Sequence, residues 1–186
     1  MTKLNSLRGA TVNRLLLNSE VLKINFQPEE KDIMNPAHWH LVINHVPIIG
    51  IILAVLITVY GLAVKSADVL KLSYILLVAV GICSIIAAQT GESAEHYLKS
   101  LNAVEETYLE AHAEAADYAN YAAIGLAVVS LLTLLVQRIR NFKAMPYIIL
   151  VFSLVVAGMM ARVGSLGGEI MHKEIRADWV ASPGGR

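Results

Sequence analysis

Charged residues are absent from four long stretches of the chain. Residues 41–64, 72–91, 118–137 and 144–161 contain no Asp, Glu, Lys or Arg. Each is close to the roughly 20 residues that a helix needs to cross about 30 Å of hydrocarbon. A helix on the surface of a soluble protein keeps one charged face, and these segments keep none. Lipid offers the backbone no hydrogen-bond partners, so such segments must be helical. The pattern predicts an all-α, integral membrane four-helix bundle with spans at about 38–64, 70–91, 104–139 and 145–166.

Local signals mark the ends. Asn35-Pro36 places a capping side chain before a proline at the first helical position. Pro47 falls inside the first span, removes the bond to the Ile43 carbonyl and predicts a kink there. Short links follow at residues 65–71 and 138–146. The connection between the second and third spans is longer, GESAEHYLKSLNAVEETYLEAHAEAAD over 91–117. From Asn102 it is rich in Ala, Glu and Leu and free of Gly and Pro, which favours helix. The third helix is therefore expected to run unbroken for about 35 residues, or roughly 50 Å, a third of it standing beyond the outer membrane face.

Residues 35–176 form the expected transmembrane domain, followed by a tail at 177–186. Residues 1–34 lack the apolar core and small-residue cleavage site of a signal peptide. Their leucines alternate with Lys3, Arg8, Arg14 and Lys23, as in an amphipathic or partner-docking arm.

Composition supports the membrane class. Of 186 residues, 56% are hydrophobic and 16% charged, and the mean hydropathy is +0.57. The formal net charge is zero, which argues against nucleic acid as a partner. The single cysteine, Cys83, excludes an internal disulfide, a CxxC zinc site and covalent c-type haem. The two short links carry Lys65, Lys71, Arg138, Arg140 and Lys143 against Asp68 alone. By the positive-inside rule they face the cytoplasm, with both termini and the Glu-rich connection outside. A bacterial inner membrane, spanned four times, is the expected location.

The candidate chemistry lies in six histidines, His38, His40, His45, His96, His112 and His172. Counting 1.5 Å per residue from the cytoplasmic ends puts His45 at about 28 Å and the other five between about 36 and 41 Å. Each span delivers a histidine to the outer end, provided that the second and fourth helices continue past Gly91 and past Gly164, Gly167 and Gly168. Gln89, Thr90, Tyr118, Asn120, Tyr121, Asn44 and Arg162 form a polar layer just below. Arg162 interrupts an apolar helix, where it either snorkels to the interface or pairs with a buried anion.

Imidazole is the usual protein ligand for iron, copper and zinc. The leading expectation is a b-type haem held by two histidines, His45 and His112 first, with His96 and His172 next or as a second pair. Arg162 would neutralise a propionate. Alanines around His112 and glycines on the second and fourth helices offer room, although small residues also serve plain helix packing. Mononuclear zinc or copper on His96, His112 and His172 is a further option. A di-iron carboxylate site needs two Glu-x-x-His pairs, and only Glu169-x-x-His172 is present. No nucleophile elbow or phosphate loop is found. The inner halves of the spans look almost wholly apolar, which argues against a channel or transporter.

The segments HLVINHVPIIG at 40–50, TGESAEH at 90–96, EAHAEAADYA at 110–119 and GSLGGEIMH at 164–172 together resemble a bacterial family of four-helix membrane proteins of unknown function. The resemblance covers about residues 36–176. Some members of that family are fused to cytochrome c domains, which implies a respiratory role. This chain has no c-type haem motif, so a cytochrome partner would be a separate subunit. The resulting expectation is an electron-transfer subunit passing electrons between quinol in the outer leaflet and a haem or copper protein outside. The alternatives are a cofactor-free structural or assembly subunit of a membrane complex and a metal-binding membrane protein.

Overall fold

The computed structural model describes residues 35–176. The expected arm at 1–34 and tail at 177–186 lie outside the described residues. Six α-helices follow in order: α1 Pro36–Ile43, α2 His45–Ala63, α3 Ala67–Ser100, α4 Glu106–Leu135, α5 Gln137–Arg140 and α6 Met145–Met171. A 3-10 turn, Lys173–Ile175, ends the order. Four helices are long and apolar enough to cross a membrane: α1 with α2, then α3, α4 and α6. These are the first to fourth spans.

The first span starts as its sequence dictates. Asn35 Oδ1 accepts from the His38 amide at 2.9 Å, and Pro36 opens the helix. The helix breaks at Asn44, beside the Ile43 carbonyl that Pro47 cannot reach. Lys65 then adopts a left-handed conformation, φ 55°. Bonds from the Lys65 and Ser66 amides to Leu62 and Gly61 carbonyls close a Schellman motif.

The connection between second and third spans is shorter than its sequence suggests. The second helix continues past Gly91 to Ser100. Asn102 takes φ 49°, and the Asn102 and Ala103 amides bond Lys99 and Leu98 carbonyls, again a Schellman stop. Only residues 101–105 separate α3 from α4. The third helix is not the unbroken 104–139 expected. It starts at Glu106, because Glu105 is extended, and breaks at Val136, also extended, before the single turn α5. The fourth helix runs through its glycines to Met171, five residues past the expected 166.

Each span packs against two neighbours. The first touches the second and fourth, and the third touches the second and fourth. First and third therefore face one another across a diagonal. Ile51, Ala54, Leu77, Val80, Ala123, Leu126, Ile149 and Val156 fill the centre. Leu56, Ile75, Ile82, Leu131, Val151 and Leu154 point outwards, as lipid-facing side chains do.

The interior of the half that carries the two short links is less apolar than its sequence implied. Thr58, Ser73, Ser130, Thr133 and Ser153 are buried there. Each hydroxyl donates to a carbonyl of its own helix, respectively Ala54, Leu70, Leu126, Val129 and Ile149. These are small, self-satisfied groups that let helix backbones approach.

Candidate functional site

The four spans meet at one level near the end that carries the 101–105 connection. Counted at 1.5 Å per residue from the opposite helix ends, His40, Gly91, His112 and Gly167 all stand roughly 33–36 Å up. That is above a hydrocarbon layer of about 30 Å.

His40, from the first span, and His112, from the third, come together across the diagonal. Their ring centres are 6.4 Å apart and their planes lie at 79°. Both side chains are half-buried. His112 Nδ1 lies 3.1 Å from the Val163 carbonyl oxygen of the fourth span. A carbonyl only accepts, so Nδ1 carries the proton and the neutral ring keeps a lone pair on Nε2. His40 Nδ1 lies 3.3 Å from Thr90 Oγ1 of the second span. The Thr90 hydroxyl is itself donated to the Ala87 carbonyl at 3.0 Å. With that hydroxyl committed, Thr90 Oγ1 accepts from His40, whose ring also bonds the Ala87 backbone; in that tautomer Nε2 keeps the lone pair.

Two glycines make room for the rings. A Cβ at Gly91 would lie 3.1 Å from His40 Cε1, and one at Gly167 would lie 3.2 Å from His112 Cε1. One turn below His40, the buried Asn44 Oδ1 has no hydrogen-bond partner among the described residues. Deeper still, Ser84 donates to Asn120 Oδ1 at 2.8 Å.

The other expected site residues lie elsewhere. His45 does not join His112: its ring is exposed, and Nδ1 donates to the Leu41 carbonyl at 2.6 Å, one turn back at the helix break. His40, which was not among the expected ligands, takes that place. His96 is exposed on α3. His172 is exposed beyond the fourth helix, with Nδ1 2.9 Å from Glu174 Oε1. The Glu174 carboxyl is held below its usual range first by its own backbone N–H and then by His172. Arg162 is exposed and has no ion pair among the described residues. His96, His112 and His172 thus do not converge, and no group of three or more His, Cys, Asp or Glu side chains that could hold a metal ion occurs among the described residues.

Arg176 drew no notice in the sequence. Its side chain is 6% exposed. It donates to the Glu169 carbonyl at 2.8 Å, to Glu105 Oε1 at 2.7 Å and to the Ile170 carbonyl at 3.4 Å. Its guanidinium carbon sits 3.8 Å above the centre of the Tyr108 ring. A lone arginine past a helix end carries no pattern that could have announced this.

Neither the curated proteins nor the solved structures include a match to this chain. A family model described as "Predicted membrane protein (DUF2231)" matches residues 35–174, the four spans and the whole histidine layer. The chain belongs to this family of membrane proteins, whose function is unknown.

Proposed function

We propose that the protein is a membrane electron-transfer subunit that holds a b-type haem between His40 and His112. The observation that carries this reading is the pairing itself. Two imidazoles from diagonal helices each have Nδ1 tied to an oxygen and Nε2 left as a lone pair. Metal-ligating histidines show that arrangement, with the second nitrogen's hydrogen bond fixing tautomer and orientation.

The donor set fits haem better than a bare ion. A protein zinc site takes three or four protein ligands, and two imidazoles fall short. Haem brings most of its iron's ligands with it, so two imidazoles from the protein would be enough to hold it. The two rings lie with their centres 6.4 Å apart, on helices that face one another across the bundle. The glycines at 91 and 167 keep bulk away from the rings. A bound haem supplies a one-electron couple, and the chain's own part is to hold two oriented imidazoles outside the hydrocarbon layer.

A groove of about 340 Å³ lined by Pro36, Trp39, Gln89, Thr90 and Ser93 opens beside the Thr90 that holds His40. A quinol whose headgroup rises to the membrane surface would approach there. The cations of the short links favour the positive-inside orientation. It puts the histidine pair on the outer face of a bacterial inner membrane, within reach of a separate redox subunit. The cytochrome c fusions implied by the sequence resemblance fit such a partner. One observation favours the second reading, a cofactor-free structural subunit: rings 6.4 Å apart at a steep angle also suit an edge-to-face aromatic contact.

The test is a dithionite-reduced minus oxidised spectrum of protein purified after haem-replete expression, with a pyridine haemochrome assay. The expected result is a b-type α-band that is lost in His40→Ala and in His112→Ala. It should persist in His45→Ala, His96→Ala and His172→Ala. A flat wild-type spectrum would overturn the haem reading and leave the structural one.

A further inference from the structure

We infer that Arg176 is the positioning residue for His112. It acts through the spacing of the third and fourth spans, and the inference extends the proposed role of the histidine pair.

His112 is defined by two surfaces of the fourth span. Val163 supplies the carbonyl that bonds Nδ1. Gly167 supplies the flat wall beside Cε1. Any widening between α4 and α6 at this level stretches the first contact and empties the second. Below His112 the bundle is held together by packed side chains such as Ala123, Leu126 and Val156. Above it, the third helix has barely two turns left before it ends at Glu106.

Arg176 spans that upper gap. The chain leaves α6 at His172, makes the turn Lys173–Ile175 and doubles back. Ile175 folds over Gly168, where a Cβ would lie 3.3 Å from Ile175 Cδ1. This returns Arg176 to the end of its own helix. Two of its donors bond carbonyls in the last turn of α6, which have no amides above them. A third donor bonds Glu105, the residue that caps α4, at 2.7 Å. The guanidinium plane covers Tyr108, one turn before His112 on α4. One side chain therefore ties the last turn of the fourth span to the first turn of the third.

Burial makes this tie strong. A guanidinium out of water with carbonyl, carboxylate and aromatic partners forms charge-assisted bonds in a fixed fork. The neighbouring ion pair, Lys173 to Glu105 at 3.7 Å, joins two exposed side chains and holds little. Lysine at 176 would reach Glu105 but could not bond both carbonyls and cover the ring together.

His40 is an internal control. Its ring faces His112 at 6.4 Å, but the contacts that fix its own tautomer and orientation, Thr90 and Gly91, belong to the second span, which the clamp does not touch. Loss of Arg176 should disturb His112 and spare His40.

The experiment is ¹⁵N NMR of the histidine side chains in the apoprotein in nanodiscs, with assignments from His→Gln variants. Wild type is expected to show His40 and His112 both protonated on Nδ1 with bare Nε2. In Arg176→Ala, the His112 signal should change to a mixture of tautomers while His40 keeps its own. Arg176→Lys should fall between. Retention of haem by the same variants is the second readout, with at least a tenfold loss expected for Arg176→Ala. An unchanged His112 signal in Arg176→Ala would overturn the inference, as would equal changes in His40 and His112, which mark general loosening. Haem-free wild type would overturn the haem proposal alone, because the tautomer readout needs no haem.

Discussion

At the scale of single residues, the site depends on what each oxygen can do. Val163 O can only accept, and Thr90 Oγ1 has already given its proton to Ala87. These two facts set both imidazoles in one tautomer without any ligand. The same scale explains why His45 is not the partner of His112: its Nδ1–H is engaged by Leu41 at the Pro47 break, and its ring is turned outwards. Gly167 gives a graded test. An added methyl would lie 3.2 Å from His112 Cε1, tighter than an ordinary contact, so the ring must yield by a few tenths of an ångström. Gly167→Ala is expected to weaken haem retention severalfold at a stability cost of about 1 kcal/mol, the low end of overpacking. Gly167→Val should abolish binding of the proposed haem, since it sets a branched Cβ against the same ring. Titration of the apoprotein with haem, alongside thermal denaturation, separates the two effects.

Between elements, the decisive contact is the approach of α3 and α4. Gly81 of α3 lies so close to α4 that a Cβ there would clash with the Ala127 Cβ. The obstacle is a short side chain on a helix backbone, which cannot swing aside. Gly81→Ala should therefore push the helices apart and destabilise the bundle by about 1–3 kcal/mol, read as a lower thermal midpoint in detergent. The histidine pair lies about 15 Å higher along the helix axis, so binding of the proposed haem by the folded fraction should not change. Helix ends tell a related story. Lys65 and Asn102 do the work usually left to glycine, taking left-handed backbone angles to close Schellman motifs. Asn is a known substitute there and Lys is not, so the second stop is more legible in the sequence than the first.

Across the whole molecule, two polar layers are separated by an apolar middle. The hydroxyls of Thr58, Ser73, Ser130 and Ser153 lie near one end, and the histidine layer lies near the other. Ile51, Ala54, Leu77, Val80 and Val156 fill the space between them. Among the described residues, this middle is packed with apolar side chains. Exposed Tyr60, Phe142 and Tyr147 ring one end, and exposed Tyr118 and Tyr121 stand towards the other, as in the aromatic belts of membrane proteins. The cationic links predict which end is inside. In a Cys83→Ser background, Asn102→Cys should react with an impermeant thiol reagent on intact cells, and Ser66→Cys should react only after the cells are opened. The reverse pattern would invert the orientation.

The sequence by itself determined the number of spans, their helical state, the kink at Pro47 and the gathering of histidines towards one end. Those properties follow from length, hydropathy and local chemistry, which act residue by residue. Only the tertiary structure decided which faces point inwards. A membrane helix is apolar towards its neighbours and apolar towards lipid, so periodicity does not reveal its inner side. Rotating the first span by part of a turn exchanges His45 for His40, and nothing in the local sequence prefers one. The packing of small residues against α3 sets that rotation. The Arg176 clamp was out of reach for the same reason. Its partners, Glu105, Tyr108, Glu169 and Ile170, lie at the ends of two helices that only the closed bundle brings side by side.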